Sequence, residues 1–206
     1  LVSVLFANVH SKKQFISIPI KIFKTMLTFT KIQTNHKHYD FVEELLHQSF
    51  PLNERRDDDC QRFNTDNNPL FHCYLITENV DEKEESLIGL ITVWELNGFR
   101  YVEHLATSPA IRNKGYGKLI MEALKKKFSG IIILEVERPE DEMSKRRIEF
   151  YKRCGFSLCE KDYIQPAYRK GGEGVPLYLM YIGTDNIDPQ YPEIRNEIYQ
   201  KVYNVN

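Results

Sequence analysis

Residues 112–117 form the run Arg112-Asn113-Lys114-Gly115-Tyr116-Gly117, which follows a Ser108-Pro109 turn and opens an amphipathic helix. Gly115 and Gly117 lack a β-carbon, so the backbone can curl and bring successive N–H groups towards one anion. The first turn of the helix adds its dipole and its unpaired N–H groups. The run therefore predicts a pyrophosphate-binding loop, with Lys114 and Lys118 adding positive charge at its rim.

Two other nucleotide-binding loops do not fit this spacing. A Rossmann loop requires G-x-G-x-x-G, and Ile120 stands where the third glycine is needed. A Walker loop requires G-x-x-x-x-G-K-[ST], which the sequence does not contain. The loop is therefore an anion-binding turn of another kind.

On both sides of this loop, extended and helical patterns alternate. The predicted strands cover residues 28–33, 70–77, 87–95, 100–107, 131–136 and 177–182, and another strand starts at Phe156. The predicted helices cover residues 41–50, 54–68, 117–128, 143–151 and 194–202. Between strands, the acidic cluster 81–85 predicts a solvated hairpin loop, and Asn97-Gly98 predicts a turn. The order indicates an α/β fold, with a mixed sheet wrapped by helices.

The 206 residues are enough for one compact domain with short extensions. Residues 26–183 are the predicted domain, and residues 184–206 are a C-terminal helical extension that docks on its own domain or on a second subunit. Residues 1–25 are an N-terminal extension, with Met26 as the alternative start. Within it, alternating isoleucines at 16–22 could add an edge strand, while the apolar run 1–9 is too short to span a bilayer.

Composition argues against several classes of protein. The 28 basic residues are balanced by 29 acidic residues, so the chain has no global positive field of the kind that attracts nucleic acid. Its four cysteines show no CxxC spacing, so neither a zinc site nor a disulfide framework is predicted. Their pattern fits the reducing cytoplasm, and the expectation is a protein without metal, nucleic acid or membrane as a partner.

Three segments resemble the GNAT superfamily of N-acetyltransferases. Arg112, Gly115 and Gly117 fill the three defined places of that family's Q/R-x-x-G-x-G/A loop, which binds the pyrophosphate of coenzyme A. Residues 103–107 look like the family's fourth strand, and residues 149–156 look like its FYxxxGF segment. The resemblance covers residues 28–183, most strongly 101–156. It implies a mostly antiparallel sheet whose parallel fourth and fifth strands splay apart, with helices on both faces.

The resemblance also implies acetyl-CoA as cosubstrate and assigns its contacts. The backbone of Leu105, Ala106 and Thr107 would bind the pantetheine arm, and residues 112–118 would hold the pyrophosphate. At the place where the family often has an asparagine, this chain has Ser144. The serine hydroxyl could bind the cofactor directly or through water, or it could serve the start of its helix instead.

Two residues are candidates for the chemistry of acetyl transfer. Tyr151 matches the tyrosine that the family uses as a general acid; since the pKa values are about 10 for tyrosine and about 8.5 for a thiol, it would act by hydrogen-bonding the departing thiolate. Its alternative role is packing. Glu103, on the strand beside the splay, is a general base or a carboxylate that binds a cationic substrate. By strand alternation, His104 is expected on the opposite face as a satisfied interior histidine.

The acceptor is the least specified part of the prediction. Glu54 and the tyrosines Tyr163 and Tyr168 could form a pocket for an amine, because carboxylates and aromatic faces both bind cations. Capping and loop packing are equally good explanations for these residues. The sequence thus predicts an N-acetyltransferase acting on a primary amine of a small molecule or peptide. The alternative is a non-catalytic acyl-CoA-binding or interaction module, and a homodimer stays open.

Overall fold

The computed structural model describes residues 26–81, 84–111 and 114–205. The N-terminal extension 1–25, with its predicted edge strand, lies outside the described residues, as do Arg112 and Asn113 of the predicted pyrophosphate loop. Within the described ranges, no helix is long and apolar enough to cross a membrane.

In the described residues, seven strands form one sheet in the order β1-β2-β3-β4-β5-β7-β6. Only β4 and β5 are parallel, and the other neighbours are antiparallel. The predicted mixed sheet is thereby confirmed. The strands are β1 (Leu27–Ile32), β2 (Phe71–Asp81), β3 (Glu84–Leu96), β4 (Phe99–Thr107), β5 (Ile131–Glu137), β6 (Ser157–Gln165) and β7 (Val175–Ile182).

In the part of the chain that the structure describes, five α-helices cover the two faces of the sheet. They are α1 (Tyr39–Ser49), α2 (Asp58–Asn67), α3 (Tyr116–Lys127), α4 (Glu142–Arg153) and α5 (Tyr191–Lys201). Apolar side chains of α1 and α5 belong to one buried core, while those of α3 and α4 belong to the other. The C-terminal helix therefore docks on its own domain, with Ile194 and Ile198 inside the first core.

The two predicted turns have different outcomes. Asn97 and Gly98 do join β3 to β4, and Gly98 takes a left-handed φ of 83°, as a two-residue hairpin turn requires. The loop predicted over residues 81–85 is too long, because β2 continues to Asp81 and β3 starts at Glu84. Backbone pairing continues here beyond the apolar segments that the prediction relied on.

A β-bulge in β4 shapes the centre of the sheet. Thr92 pairs with His104 and Val93 pairs with Val102, so Glu103 is the extra residue of β4. A bulge bends and twists its strand. The parallel pairing of β4 with β5 ends at Val102 and Leu134, immediately before this bulge. From His104 to Thr107, β4 is paired on its β3 side alone, and the strands splay as expected.

The bulge also corrects the predicted alternation of Glu103 and His104. Both side chains lie on the same face of the sheet, where the Tyr168 hydroxyl donates to Glu103 and the Tyr168 ring stacks on His104 at 6.2 Å between centroids. The prediction of opposite faces is wrong, because one extra residue shifts the side-chain period by one position.

Candidate active site

Two adjoining clefts open at the splay between β4 and β5. The larger has a volume of about 510 Å³ and the smaller about 130 Å³. Residues common to both linings are Phe50, Glu54, Glu103, Glu135, Glu137 and Arg147. The larger cleft also contains Leu105, Ala106, Thr107 and Tyr151, whereas the smaller contains His104, Gln165 and Tyr168. The structure therefore brings the predicted pantetheine contacts of β4 and Tyr151 to the larger cleft, and Tyr168 to the smaller one.

The larger cleft has features that fit the pantetheine arm of coenzyme A, and the start of α3 has features that fit its pyrophosphate. The β4 backbone at Leu105–Thr107 faces it without a strand partner on the β5 side, so amide groups are available for an extended ligand. Gly115 is the N-cap of α3, with a left-handed φ of 82° and no side-chain cap. A β-carbon there would meet no atom within 4 Å. Lys114 and Lys118 beside it are exposed.

Gly117 has a packing role that the sequence did not indicate. A β-carbon at this position would lie 3.2 Å from the Phe150 ring on α4, which is tighter than ordinary contact. The glycine therefore lets α3 approach α4. The part of Gly117 in giving an anion access to the backbone stays a prediction.

Ser144 lies at the start of α4 and is buried. Its backbone N–H donates to Asp141 Oδ1 at 2.8 Å, and its hydroxyl accepts from the Asp141 N–H at 3.2 Å. These two bonds form a capping box. The structure thus gives Ser144 the helix-start role that the sequence left open, and its contact with the cofactor stays a prediction.

Tyr151 lies on α4 and lines the larger cleft. Its ring packs edge-on against Phe150 and Phe156, with centroids 5.3 and 5.8 Å away. Burial raises the pKa of Tyr151 above its usual value. The phenol is therefore protonated at neutral pH and can donate a hydrogen bond into the cleft.

Glu103 is fully engaged by donors from the protein. Its Oε1 accepts from Arg56 Nη2 at 2.6 Å and from the Tyr168 hydroxyl at 3.0 Å. Its Oε2 accepts from Arg56 Nη1 at 2.8 Å and from Trp94 Nε1 at 3.0 Å. Burial alone would raise the pKa of Glu103, but the Arg56 guanidinium holds it below its usual value.

Arg56 is a residue that the sequence analysis did not identify. Its side chain is 5% exposed and its guanidinium lies 5.3 Å from the centres of both the Trp94 and Tyr168 rings. It also donates to the Val202 carbonyl at 3.3 Å. The ion pair with Glu103 joins residues 47 positions apart, so no local motif could have indicated it.

His104 is an interior histidine with partners on both ring nitrogens. Nδ1 lies 3.2 Å from the Thr92 hydroxyl, and Nε2 lies 3.1 Å from the Glu54 carbonyl. Burial lowers the pKa of His104. The neutral, hydrogen-bonded ring connects β4 to the segment before α2.

Glu135 is the second residue that the sequence analysis missed. It stands in β5 within a run otherwise made of apolar residues, which was interpreted only as a buried strand. Its carboxyl accepts hydrogen bonds from the hydroxyls of Tyr163 and Tyr203. Burial raises the pKa of Glu135 to about 7, with a further contribution from the charge of Glu103. A charged residue at an inward position of a buried strand was the available signal.

The predicted acceptor residues differ in position. Glu54 and Tyr168 line the smaller cleft. Tyr163 lies behind its wall, fully buried, and donates to Glu135. Burial raises the pKa of Glu54, and the nearby charge of Glu137 adds to this. Glu137 is itself paired with Arg147 at 2.5 Å.

Comparison with known proteins identifies the family that shares this architecture. The sequence profile of the Acetyltransferase (GNAT) family matches residues 39–156. A structure from Bacteroides thetaiotaomicron, described as a GNAT-family acetyltransferase, is 44% identical with a TM-score of 0.81, and the match covers 87% of this chain and 99% of that one. No curated protein sequence matched the chain.

Two more distant structures share the fold. NAA60 from Arabidopsis thaliana, in complex with a bisubstrate analogue, is 19% identical with a TM-score of 0.56, over 76% of this chain and 98% of that one. A chimera of the spermidine N-acetyltransferase SpeG from Vibrio cholerae is 19% identical with a TM-score of 0.54, over 76% and 94% of the two chains. The family profile and the 44% identical structure show that the chain belongs to the GNAT acetyltransferase family.

Proposed function

We propose that this protein transfers an acetyl group from acetyl-CoA to a primary amine of a small molecule or peptide, by direct attack in a ternary complex. The observation that carries the proposal is the splay between β4 and β5. It leaves one backbone edge of β4 open in a cleft that Tyr151 and several carboxylates line. An enzyme of this class needs an extended thioester and an amine to meet at one point, and the two adjoining clefts provide that geometry.

Residues on the donor side would hold acetyl-CoA, which supplies the activated acetyl group. The backbone of Leu105–Thr107 would bind the pantetheine arm, and the start of α3 at Gly115 would bind the pyrophosphate. Lys114 and Lys118 would add attraction for the phosphates. Arg112 and Asn113 belong to the same loop by the family motif.

The acceptor side favours a cationic substrate. The smaller cleft is lined by four glutamates, Glu54, Glu103, Glu135 and Glu137, and by one arginine, Arg147. Arg56 neutralises Glu103 from behind, and Arg147 pairs with Glu137. Glu54 and Glu135 are left to attract an ammonium group, and the Tyr168 ring adds an aromatic wall. The spermidine N-acetyltransferase chimera shares only its fold with this chain, so its substrate gives no support for an acceptor here. The negative charge of this cleft is what favours a cationic amine.

Tyr151 would serve the leaving group. A phenol kept protonated by burial can donate a hydrogen bond to the thiolate as the carbon–sulfur bond breaks. This contact is formed only as charge develops, so it would lower the barrier without strengthening the binding of acetyl-CoA.

The test is acetyl-CoA turnover against polyamines, aminoglycosides, amino acids and peptide N-termini, with the wild type beside Tyr151→Phe. We expect turnover of at least one cationic amine and a large loss in the variant. Tyr74→Phe is the matched control, because Tyr74 packs in the same core on the remote strand β2. Tight acetyl-CoA binding without turnover of any amine would favour the non-catalytic binding module.

A further inference from the structure

Glu135 stands at the junction of the two clefts. It follows Leu134, the last residue of β5 that pairs with β4, so it is the first β5 side chain beyond the point of the splay. It lines both the larger and the smaller cleft. A group in this position faces the region where a donor in one cleft and an acceptor in the other must meet.

We infer that Glu135 accepts the proton of the substrate amine and that Tyr203, just beyond α5, is the residue that positions its carboxylate. This inference rests on the proposed function, since it assigns roles within the same reaction. It assigns to Glu135 the base role that was one of two alternatives for Glu103, and it gives a role to a C-terminal residue that no motif pointed to.

Glu103 is poorly suited to take a proton. Its two oxygens accept four hydrogen bonds, two of them from the guanidinium of Arg56, and its side chain is 0% exposed. Accepting a proton would require breaking contacts with a fixed positive charge. Glu103 is therefore better suited to hold Arg56 and Tyr168 in place.

Glu135 has neutral donors instead of a cation. Tyr203 donates to the Glu135 carboxyl, with its hydroxyl 3.1 and 3.3 Å from the two oxygens, and Tyr163 donates to Oε1. Gln165 Nε2 donates to the Tyr203 hydroxyl at 3.0 Å, and the Tyr101 hydroxyl lies 3.1 Å from it. Because Tyr203 has only one proton, these neighbours orient that proton towards Glu135.

The electrostatic surroundings of Glu135 keep its pKa close to neutral pH. Burial raises its pKa to about 7 and the negative charge of Glu103 adds to this, while the hydrogen bonds from the tyrosines act in the opposite direction. A base is most effective when its pKa lies close to the working pH. Titratable and charged groups that face it are Tyr101 and Glu103 on β4, Tyr163 on β6, Tyr203 after α5, Arg56 behind Glu103, and the cleft residues Glu54, His104, Glu137, Arg147 and Tyr168.

The proposed step balances in protons and bonds. The Glu135 carboxylate takes one proton from the substrate ammonium group, which leaves a neutral amine. The amine nitrogen forms a bond to the acetyl carbonyl carbon, and the carbon–sulfur bond breaks. The second nitrogen proton passes to the departing thiolate as the amide forms, so coenzyme A leaves as a thiol. The net release is one proton, which leaves Glu135 for solvent.

The C-terminal segment completes both carboxylate sites. The Val202 carbonyl accepts from Arg56, which holds Glu103, and the next residue, Tyr203, donates to Glu135. Val202 and Tyr203 are buried in the same core as α5. Docking of α5 therefore positions Arg56 and Tyr203, which hold the two carboxylates beside the proposed amine site.

The test compares the pH dependence of kcat for wild type, Glu135→Gln, Glu103→Gln and Tyr203→Phe with a cationic amine that the wild type acetylates. Wild-type kcat should rise through pH 7 with an apparent pKa near that of Glu135. Glu135→Gln should lower kcat by about 10²- to 10⁴-fold at pH 7. The rising limb of the pH profile near pH 7 should disappear in this variant. Its remaining rate should recover as rising pH deprotonates the free amine.

The other two variants should move the limb in opposite directions. Tyr203→Phe removes a donor to the charged carboxylate, so the limb should shift to higher pH. Glu103→Gln removes a neighbouring negative charge, so the limb should shift to lower pH. A merely structural role for Tyr203 would lower kcat at every pH without moving the limb.

Several outcomes would overturn the inference. Glu135→Gln that keeps the wild-type rate and limb would do so, as would Glu103→Gln that alone abolishes the limb. If Glu135→Gln does not fold, Glu135→Asp takes its place, and it should keep the limb with a lower rate because the shorter side chain withdraws the carboxylate. If the wild type acetylates no amine in the panel, the proposed function itself fails, and the base role fails with it.

Discussion

Arg56→Met tests how strongly the buried ion pair holds the centre of the protein. The substitution keeps most of the side-chain volume and removes the guanidinium that binds Glu103 at 2.6 and 2.8 Å. The carboxylate would stay buried, with Trp94 and Tyr168 as its remaining donors. A buried charge that loses its partner is costly, so Arg56→Met should strongly destabilise the fold.

The expected magnitude follows from the burial of both partners. Removing one partner of a buried pair costs about 3–5 kcal/mol. For a chain of this size each kcal/mol lowers the melting temperature by about 2–4 °C, so Arg56→Met should lower it by about 6–20 °C. Urea unfolding at pH 8 would measure the free energy directly. The deficit should shrink as the pH falls towards 5, because protonation of Glu103 removes the unpaired charge.

Two further variants control this prediction. In the double variant Arg56→Met with Glu103→Gln, both charges are gone. Its loss of unfolding free energy should therefore be smaller than the sum of the losses of the two single variants, by about 1 kcal/mol or more. Arg62→Met breaks a similar pair, since Arg62 contacts Glu43 at 2.7 and 2.6 Å, but the Arg62 side chain is 51% exposed. Its unfolding free energy should hardly change. Equal losses for Arg56→Met and Arg62→Met would refute the reasoning.

Three other predictions concern the cleft. Tyr151→Phe should lower kcat about 100-fold or more in steady-state kinetics while calorimetry shows little change in acetyl-CoA affinity; an equal kcat would reduce Tyr151 to packing. Gly115→Ala and Gly98→Ala impose the same left-handed φ in open space and should cost about 1–2 kcal/mol each, but only Gly115→Ala should weaken acetyl-CoA binding. Burial raises the pKa of Glu135 in the folded state to about 7, so the folded state binds this proton more tightly than the unfolded state. The free energy of unfolding should therefore fall by up to about 3 kcal/mol as the pH rises from about 4.5 to about 7. Urea titrations across this pH range should show a smaller fall in the free energy of unfolding for Glu135→Gln than for the wild type. The same fall in both proteins would contradict a buried carboxyl with a raised pKa.

Local patterns were sufficient for the order of the elements, and the acetyl-CoA contacts assigned from the motifs stay predictions. The Asn97-Gly98 turn, the helix after Gly115 and the apolar strands are each encoded within a few adjacent residues. Backbone preferences and side-chain periodicity act over that same range. For this reason local patterns predicted the mixed sheet, while the place of the splay was implied by the resemblance of residues 101–156 to the GNAT family.

Only the tertiary structure determined the acceptor side. The bulge that turns Glu103 and His104 to one face depends on the register with β3. Arg56 and Tyr203 reach the same centre from positions separated by more than half of the chain, and each meets a different carboxylate. Which of the two carboxylates is a strong base depends on burial and on the nearest charge, and both arise only when distant segments pack together.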